Sequence, residues 1–412
     1  MFLKRGDILK QKGKKWIKLR HSVVTELARI VMLPFTRIRF GVKVEKFKNQ
    51  NGRQYLVLLN HQTVFDQFFV GLAFKGPLYY LATEDIFSNG WVSALIRFLV
   101  APIPIKKQTT DVTAVKNCIR VAKEGGTIAL APEGNRTYSG KTEYMNPAIA
   151  PLAKKLGLPV ALFRIEGGYG VQPRWTDVIR RGKMRAFVSE VIEPDELKAL
   201  SNEELCERIK QGLYVNEAKA DTEFHHKKSA EYLERAIYVC HKCGLSVFES
   251  ENDIIKCKKC GIKARYLPTK KLQGIDCEFP FNFVNDWYEY QCDFINRLDT
   301  TRYLDKPLYK DRANVFEVIV YKKKIPLKKD ALLSLYGDRI SITAKDQTEQ
   351  VLPFSKISSV AVLGRNKLNI YFENKLYQIK GDKRFNALKY VNIYHRSKNL
   401  SGGNKNAEFL GL

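Results

Sequence analysis

From residue 55 to about 192, apolar runs of strand length alternate with stretches of helical period, and this alternation limits the fold more than any other feature. The first run, 55–59, stops abruptly at Asn60–His61; runs at 78–82, 127–131, 160–165 and 184–192 follow. Between them Asp111 is placed to cap a helix carrying Val112, Val115, Ile119 and Ala122, with Gly125 and Gly126 as its stop. Pro147 opens a further helix and Gly157 closes it. The pattern predicts an α/β domain, a layered mixed sheet with flanking helices, whose working loops lie beyond the strand ends.

Two of those strand ends carry reactive groups. The first delivers His61, with Asp66 five residues later; a His and an Asp so placed suit a base and its orienter, or a buried structural pair. The second delivers Pro132-Glu133-Gly134-Asn135-Arg136-Thr137. Arg136 offers a planar fork for phosphate, or a surface ion pair with Glu133. Gly134 lets the backbone approach a ligand. Glu133 either binds a hydroxyl or orients Arg136.

Asn60-His61, four residues, Asp66, then Glu133-Gly134-Asn135-Arg136 at a distance resembles the pattern of the glycerolipid acyltransferases, the 1-acylglycerol-3-phosphate acyltransferase or PlsC-like family, over roughly residues 20–200. Ile103-Pro104-Ile105-Lys106-Lys107 sits where the family has an apolar stretch ending in Arg, which makes Lys107 the counterpart. Residues 158–163 occupy the place of its late proline-containing strand. Departures are Asn135 for the usual Thr, Lys107 as a point charge for a bidentate Arg, and residues 143–147 for a Phe-Lys-Lys-Gly pattern. They leave the reaction class intact and the acceptor open.

The resemblance implies an enzyme that moves an acyl group from acyl-CoA or acyl carrier protein to a lysophospholipid hydroxyl. The first expectation is 1-acylglycerol-3-phosphate going to phosphatidic acid; another lysolipid or glycerol phosphate is the alternative acceptor. His61 would be the general base and Asp66 its orienter. Glu133, Gly134, Asn135, Arg136 and Lys107 would bind substrate. A rival of another class is a non-catalytic adaptor that binds lipid or nucleic acid through its basic surface and cysteine module.

Charge bears on partners. Lys and Arg number 70 against 43 Asp and Glu, a net charge of +27, which favours a polyanionic surface, nucleic acid or an acidic membrane leaflet. Residues 1–20 are basic with Trp16 and Ile17 interleaved, and 22–35 are apolar apart from Glu26 and Arg29, up to a bend or stop at Pro34. Such a segment suits a helix lying in the membrane interface. No run of eighteen apolar residues is present, so a spanning helix is not expected, and the basic start lacks the apolar core of a signal peptide. The expectation is peripheral attachment at the cytoplasmic face of an anionic membrane, with nucleic acid not expected as a partner.

Cys240-x2-Cys243-Gly244 and Cys257-x2-Cys260-Gly261, thirteen residues apart, resemble zinc-ribbon knuckles, and four thiolates predict a closed structural zinc site. His241 lies between the first pair and is expected to be exposed. From Val315 onward strand-like runs are followed by a helix with Asp382 as its cap, an order that resembles a pleckstrin-homology-like barrel. The run 321–329, YKKKIPLKK, is its candidate phosphate or membrane contact. The expected division is a membrane-associating segment (1–40), an acyltransferase domain (41–200), a helical connector (201–237), a zinc ribbon (238–268), an aromatic-rich linker (269–312), a mainly-β domain (313–397) and a flexible tail (398–412).

Overall fold

The computed structural model describes residues 15–106, 111–142, 144–219, 222–404 and 406–411. Strands β1 (Val42–Val44), β2 (Leu56–Leu59), β3 (Leu78–Thr83), β4 (Ile103–Ile105), β5 (Thr127–Leu130), β6 (Val160–Glu166) and β7 (Met184–Ile192) form one sheet in the order β1-β7-β6-β2-β5-β3-β4. Adjacent strands run parallel except β6 and β7, so the sheet is mixed, as the alternation predicts. The helices are α1 (Leu19–Phe40), α2 (Asp66–Ala73), α3 (Trp91–Val100), α4 (Val112–Lys123), α5 (Ile149–Leu156), α6 (Gly168–Val171), α7 (Pro194–Ala199) and α8 (Asn202–Leu213). Asp111 caps α4 as expected, its carboxylate accepting from the Ala114 amide at 3.1 Å.

Every residue of β2 is buried, which is why it reads as an unbroken apolar run. Val57 and Leu59 face a core shared with Phe40 of α1 and Phe69 of α2. Leu56 and Leu58 face the opposite core, built with Cys118 of α4, Ala150 of α5 and Leu205 of α8. The result is three layers with β2 at the centre. Pro34, expected to bend or end the first helix, lies inside α1, which continues to Phe40. The Phe40 ring packs 4.8 Å from Phe65 and 5.8 Å from Phe69, and this burial offsets the cost of an internal proline, about 3 kcal/mol.

Beyond α8 the chain departs from the helical connector. Its second segment forms one short 3₁₀ turn, Leu233–Arg235, held where the Arg235 guanidinium donates to the Trp175 carbonyl at 2.9 Å and to Asp177 at 2.7 Å. The region expected as a ribbon comprises β8 (Val239–Cys240) and β9 (Gly244–Leu245), paired with each other, and an antiparallel meander of β10 (Phe248–Glu251), β11 (Ile254–Cys257), β12 (Lys263–Tyr266) and β13 (Leu272–Ile275). The aromatic-rich stretch forms α9 (Val284–Arg297), with Trp287 buried.

Seven antiparallel strands follow: β14 (Tyr309–Val318), β15 (Ile325–Leu335), β16 (Arg339–Thr343), β17 (Glu349–Pro353), β18 (Ile357–Leu363), β19 (Lys367–Phe372) and β20 (Lys375–Gly381). Two meanders join through β14 and β20, and α10 (Leu388–Ser401) packs against the strands. Of these strands, β17 carries no sequence signal that the periodicity picks out. The helix begins six residues after Asp382, whose carboxylate instead accepts from the Arg384 amide in a turn, at 2.8 Å. The tail, expected to be flexible, turns back: the Leu410 carbonyl accepts from Asn392 at 2.8 Å, and the Phe409 ring lies 4.9 Å from Tyr144.

Ribbon, α9 and carboxy-terminal strands share one continuous core, so no boundary in it is marked by exposed apolar surface. That unit also docks on the first domain. Tyr371 donates to Glu84 at 2.6 Å, Gln378 donates to Asp85 at 3.1 Å, and Lys324 pairs with Asp85.

Candidate active site

The site lies beyond the carboxyl ends of β2 and β5, neighbours in the sheet with Leu58 opposite Leu130. Asn60 fixes the end of β2 against β6: its side chain donates to the Ile165 carbonyl at 2.8 Å and accepts from the Ile165 amide at 2.7 Å. The chain then turns, and Asp66 begins α2. Asp66 is 1% exposed. One carboxylate oxygen accepts from His61 Nδ1 at 2.7 Å and from the Gln62 amide at 2.7 Å; the other accepts from Thr63 Oγ1 at 2.7 Å and its amide at 2.9 Å. A carboxylate only accepts, so the imidazole proton sits on Nδ1 and the Nε2 lone pair is left for chemistry.

The second turn is tied to the first. Glu133 Oε1 accepts from the His61 backbone amide at 2.8 Å, so this carboxylate braces the histidine turn. Gly134 has φ 68°, a left-handed conformation, and among the described residues no atom lies within 4 Å of where a Cβ would stand. The glycine therefore meets a backbone demand here. Asn135 accepts from Arg174 Nη2 at 3.2 Å. Arg136 is 6% exposed, and among the described residues neither of its terminal nitrogens has a hydrogen-bond partner. Lys107, expected as a second cation, lies outside the described residues. The structure thus brings together His61, Asp66, Glu133, Gly134, Asn135 and Arg136.

Burial is the main cause that pushes the His61 pKa below its ordinary value; Asp66 opposes it and the charges of Arg136 and Arg174 reinforce it. The ring is accordingly neutral at physiological pH. Burial also lowers the Arg136 guanidinium to about 9, with Arg174 and Arg365 adding to the effect. A positive group held dry at this cost favours an anion.

Arg174 is the residue that sequence reasoning missed. It is 2% exposed, donates to the Arg136 carbonyl at 2.9 Å, and stands 4.4 Å over the Tyr138 ring. No motif surrounds it, and no periodic signal points to it.

Residues 41–165 match the family model described as Acyltransferase. The chain carries an acyltransferase-family domain. Curated relatives include the chloroplastic 1-acyl-sn-glycerol-3-phosphate acyltransferase LPAT1 of Arabidopsis thaliana, 23% identical over 45% of this chain and 52% of its own. The 1-acyl-sn-glycerol-3-phosphate acyltransferase of Bacillus subtilis is 22% identical over 45% of this chain and 92% of its own. The chain thus spans about half the length of the plant relative. Among solved structures, the 1-acyl-sn-glycerophosphate acyltransferase PlsC of Thermotoga maritima matches 47% of this chain and 78% of its own, with 25% identity and a TM-score of 0.39.

A second cluster lies in the ribbon. The sulfurs of Cys240, Cys243, Cys257 and Cys260 all fall within 4.8 Å of one another, with Cys240 and Cys260 3.7 Å apart. A tetrahedron of Zn–S bonds of about 2.3 Å has edges of about 3.8 Å, so these four residues suit a metal ion. Ser246 lies 3.0 Å from the Cys257 sulfur. His241, expected to be exposed, is half-buried, its ring edge-on to Phe279 and Phe281 at 5.8 and 5.9 Å.

Proposed function

We propose that the chain is a lysophospholipid acyltransferase that converts 1-acylglycerol-3-phosphate to phosphatidic acid. The observation that carries the reading is the His61–Asp66 pair facing, across two tied turns, a buried Arg136 whose terminal nitrogens have no partner among the described residues. The acceptor hydroxyl attacks the thioester carbonyl carbon of acyl-CoA or acyl carrier protein while its proton passes to His61 Nε2. Asp66 holds Nδ1–H and stabilises the imidazolium. As the C–S bond breaks, the leaving sulfur takes that proton back. No step requires a covalent acyl-enzyme. Arg136 holds the acceptor phosphate through charge-assisted hydrogen bonds.

A membrane surface is the natural source of such a substrate. Leu27 and Ile30 of α1 are 60% and 71% exposed, and Trp91 and Phe98 of α3 are 77% and 54% exposed. The two helices meet where Arg20 donates to the Phe98 carbonyl at 2.7 Å. The β14–β15 hairpin adds Tyr321 and Ile325 beside α3, with Lys322, Lys323, Lys328 and Lys329 around them. Exposed apolar groups ringed by lysines suit peripheral binding to an anionic leaflet. No helix among the described residues is long and apolar enough to cross a membrane. We place the enzyme at the cytoplasmic face, with a structural zinc in the ribbon and a pleckstrin-homology-like carboxy-terminal domain. A lipid-binding adaptor is the second reading, favoured by this same face.

The test supplies labelled oleoyl-CoA and a panel of lysophospholipids and glycerol phosphate in vesicles. Labelled phosphatidic acid formed by the wild type, and lost in His61→Ala, is the expected result. Vesicle binding with no acyl transfer to any acceptor favours the adaptor.

A further inference from the structure

Arg136 belongs to a larger cluster of positive charge than the family motif contains. Arg174 enters from the loop after α6, beyond residues 41–165, and its donors all go to neutral oxygens. Nη1 reaches the Arg136 carbonyl at 2.9 Å, and Nη2 reaches Asn135 Oδ1 at 3.2 Å and the Val362 carbonyl at 3.3 Å. Nε points at the Gly364 carbonyl, 3.5 Å away. One side chain thus clips the substrate turn of the first domain to the β18–β19 turn of the last.

The next residue in that turn is Arg365. It pairs with Asp177 at 3.0 Å through Nη1, and its buried Nε has no partner among the described residues. Asp177 already pairs with Arg235 at 2.7 Å. Arg235 and Arg365 thus share the one Asp177 carboxylate, and the charges of Arg174 and Arg365 bear on Arg136. The nearby acidic groups Asp66 and Glu133 are both bonded to His61. Among the described residues no carboxylate bonds Arg136 or Arg174, and gathering buried like charges is costly unless an anion completes the set.

We propose that Arg136 and Arg365, with the charge of Arg174 beside them, hold one phosphate monoester dianion, so that the carboxy-terminal sheet completes the acceptor site of the acyltransferase. The inference rests on the acyltransferase reading for its location beside His61, but its chemistry stands apart from turnover. A dianion matches a fork with free terminal nitrogens flanked by two more guanidiniums. A phosphodiester, with one charge and a bulky second ester, matches it less well. The geometry also gives the appended domain a direct task in substrate selection, since Arg365 reaches the site only when the β18–β19 turn is docked.

Binding tests this on the full chain without any reaction. Phosphorus NMR titrations with glycerol 3-phosphate and with coenzyme A separate the acceptor's phosphate from the donor's 3′-phosphate. Arg365→Met is expected to weaken glycerol 3-phosphate binding about tenfold, the weight of one charge-assisted hydrogen bond, and Arg365→Lys less, as a charge without the fork. Selective loss of coenzyme A binding instead would keep the phosphate site and overturn its assignment to the acceptor. Unchanged affinity for both ligands in Arg365→Met, or no binding of either by the wild type, overturns the proposal. Asp177→Asn controls for a merely structural role, in which it and Arg365→Met would lower Tm together while glycerol 3-phosphate affinity held. Should the wild type bind glycerol 3-phosphate through Arg365 yet transfer no acyl group, the acyltransferase reading fails and the phosphate site remains.

Discussion

The two turns of the site are built in opposite ways. The His61 turn is local: Asp66 collects bonds from His61, Gln62 and Thr63, all within five residues of it. Its carboxylate is satisfied before any ligand arrives. The Arg136 turn is assembled from afar, by Arg174 some forty residues on and by a β turn more than two hundred residues away, and among the described residues it leaves two guanidinium nitrogens without a partner. Chemistry needs a base fixed in one orientation, which short-range bonds supply at little entropic cost. Recognition needs unspent donors, and these persist only where the surrounding structure holds them in place.

If the comparison is right, changes to the two turns separate in kinetics. The largest effect should come from the local turn: His61→Ala is expected to lower kcat about 10²–10⁴-fold, checked by steady-state acyl transfer with Tm unchanged. Asp66→Asn should fall short of that in rate but also lower Tm, because a carboxylate accepting four bonds is replaced by a group that cannot accept them all; thermal unfolding reads the second effect. In the assembled turn, Arg136→Gln is expected to raise KM for the phosphate-bearing acceptor about 10–100-fold with a smaller change in kcat. A collapse of kcat with KM unchanged would erase the distinction between the turns.

The ribbon offers a way to disturb the assembled turn alone. It shares a core with β18 and β19, which carry Val362 and flank the turn at Gly364. Chelation or Cys257→Ser should therefore lower the unfolding temperature and raise the acceptor KM several-fold, with the His61–Asp66 pair intact. The smallest effect is in pH dependence. His61 acts only when neutral, and burial lowers its pKa, so the acidic limb of kcat/KM should fall below the ordinary histidine value of about 6.5. Removing a positive charge in Arg174→Gln raises that pKa and moves the limb to higher pH.

What could be read from sequence follows the same division. The strand at 184–192 was legible to the residue, because its even-numbered positions Met184, Ala186 and Ile192 are apolar and buried while Arg185 and Ser189 face solvent. The His61–Asp66 pair was legible because five residues of chain hold its whole geometry. Glu133's bond to the His61 amide was not, since backbone donors leave no trace in side-chain pattern. Arg174 was invisible for a different reason: its partners are carbonyls of distant segments, which any sequence supplies. The tail was misjudged because its polarity hides single anchors, Phe409 against Tyr144 and Leu410 against Asn392. Pro34 shows tertiary packing overriding a strong local rule.

The central claim is that His61 takes the proton from a lysophosphatidate hydroxyl as the thioester opens. It is tested most directly by following free thiol released from oleoyl-CoA in vesicles with and without lysophosphatidate, for the wild type and His61→Ala. Acceptor-dependent thiol release by the wild type that is lost in the variant is the predicted result. Equal release by the two proteins would contradict it.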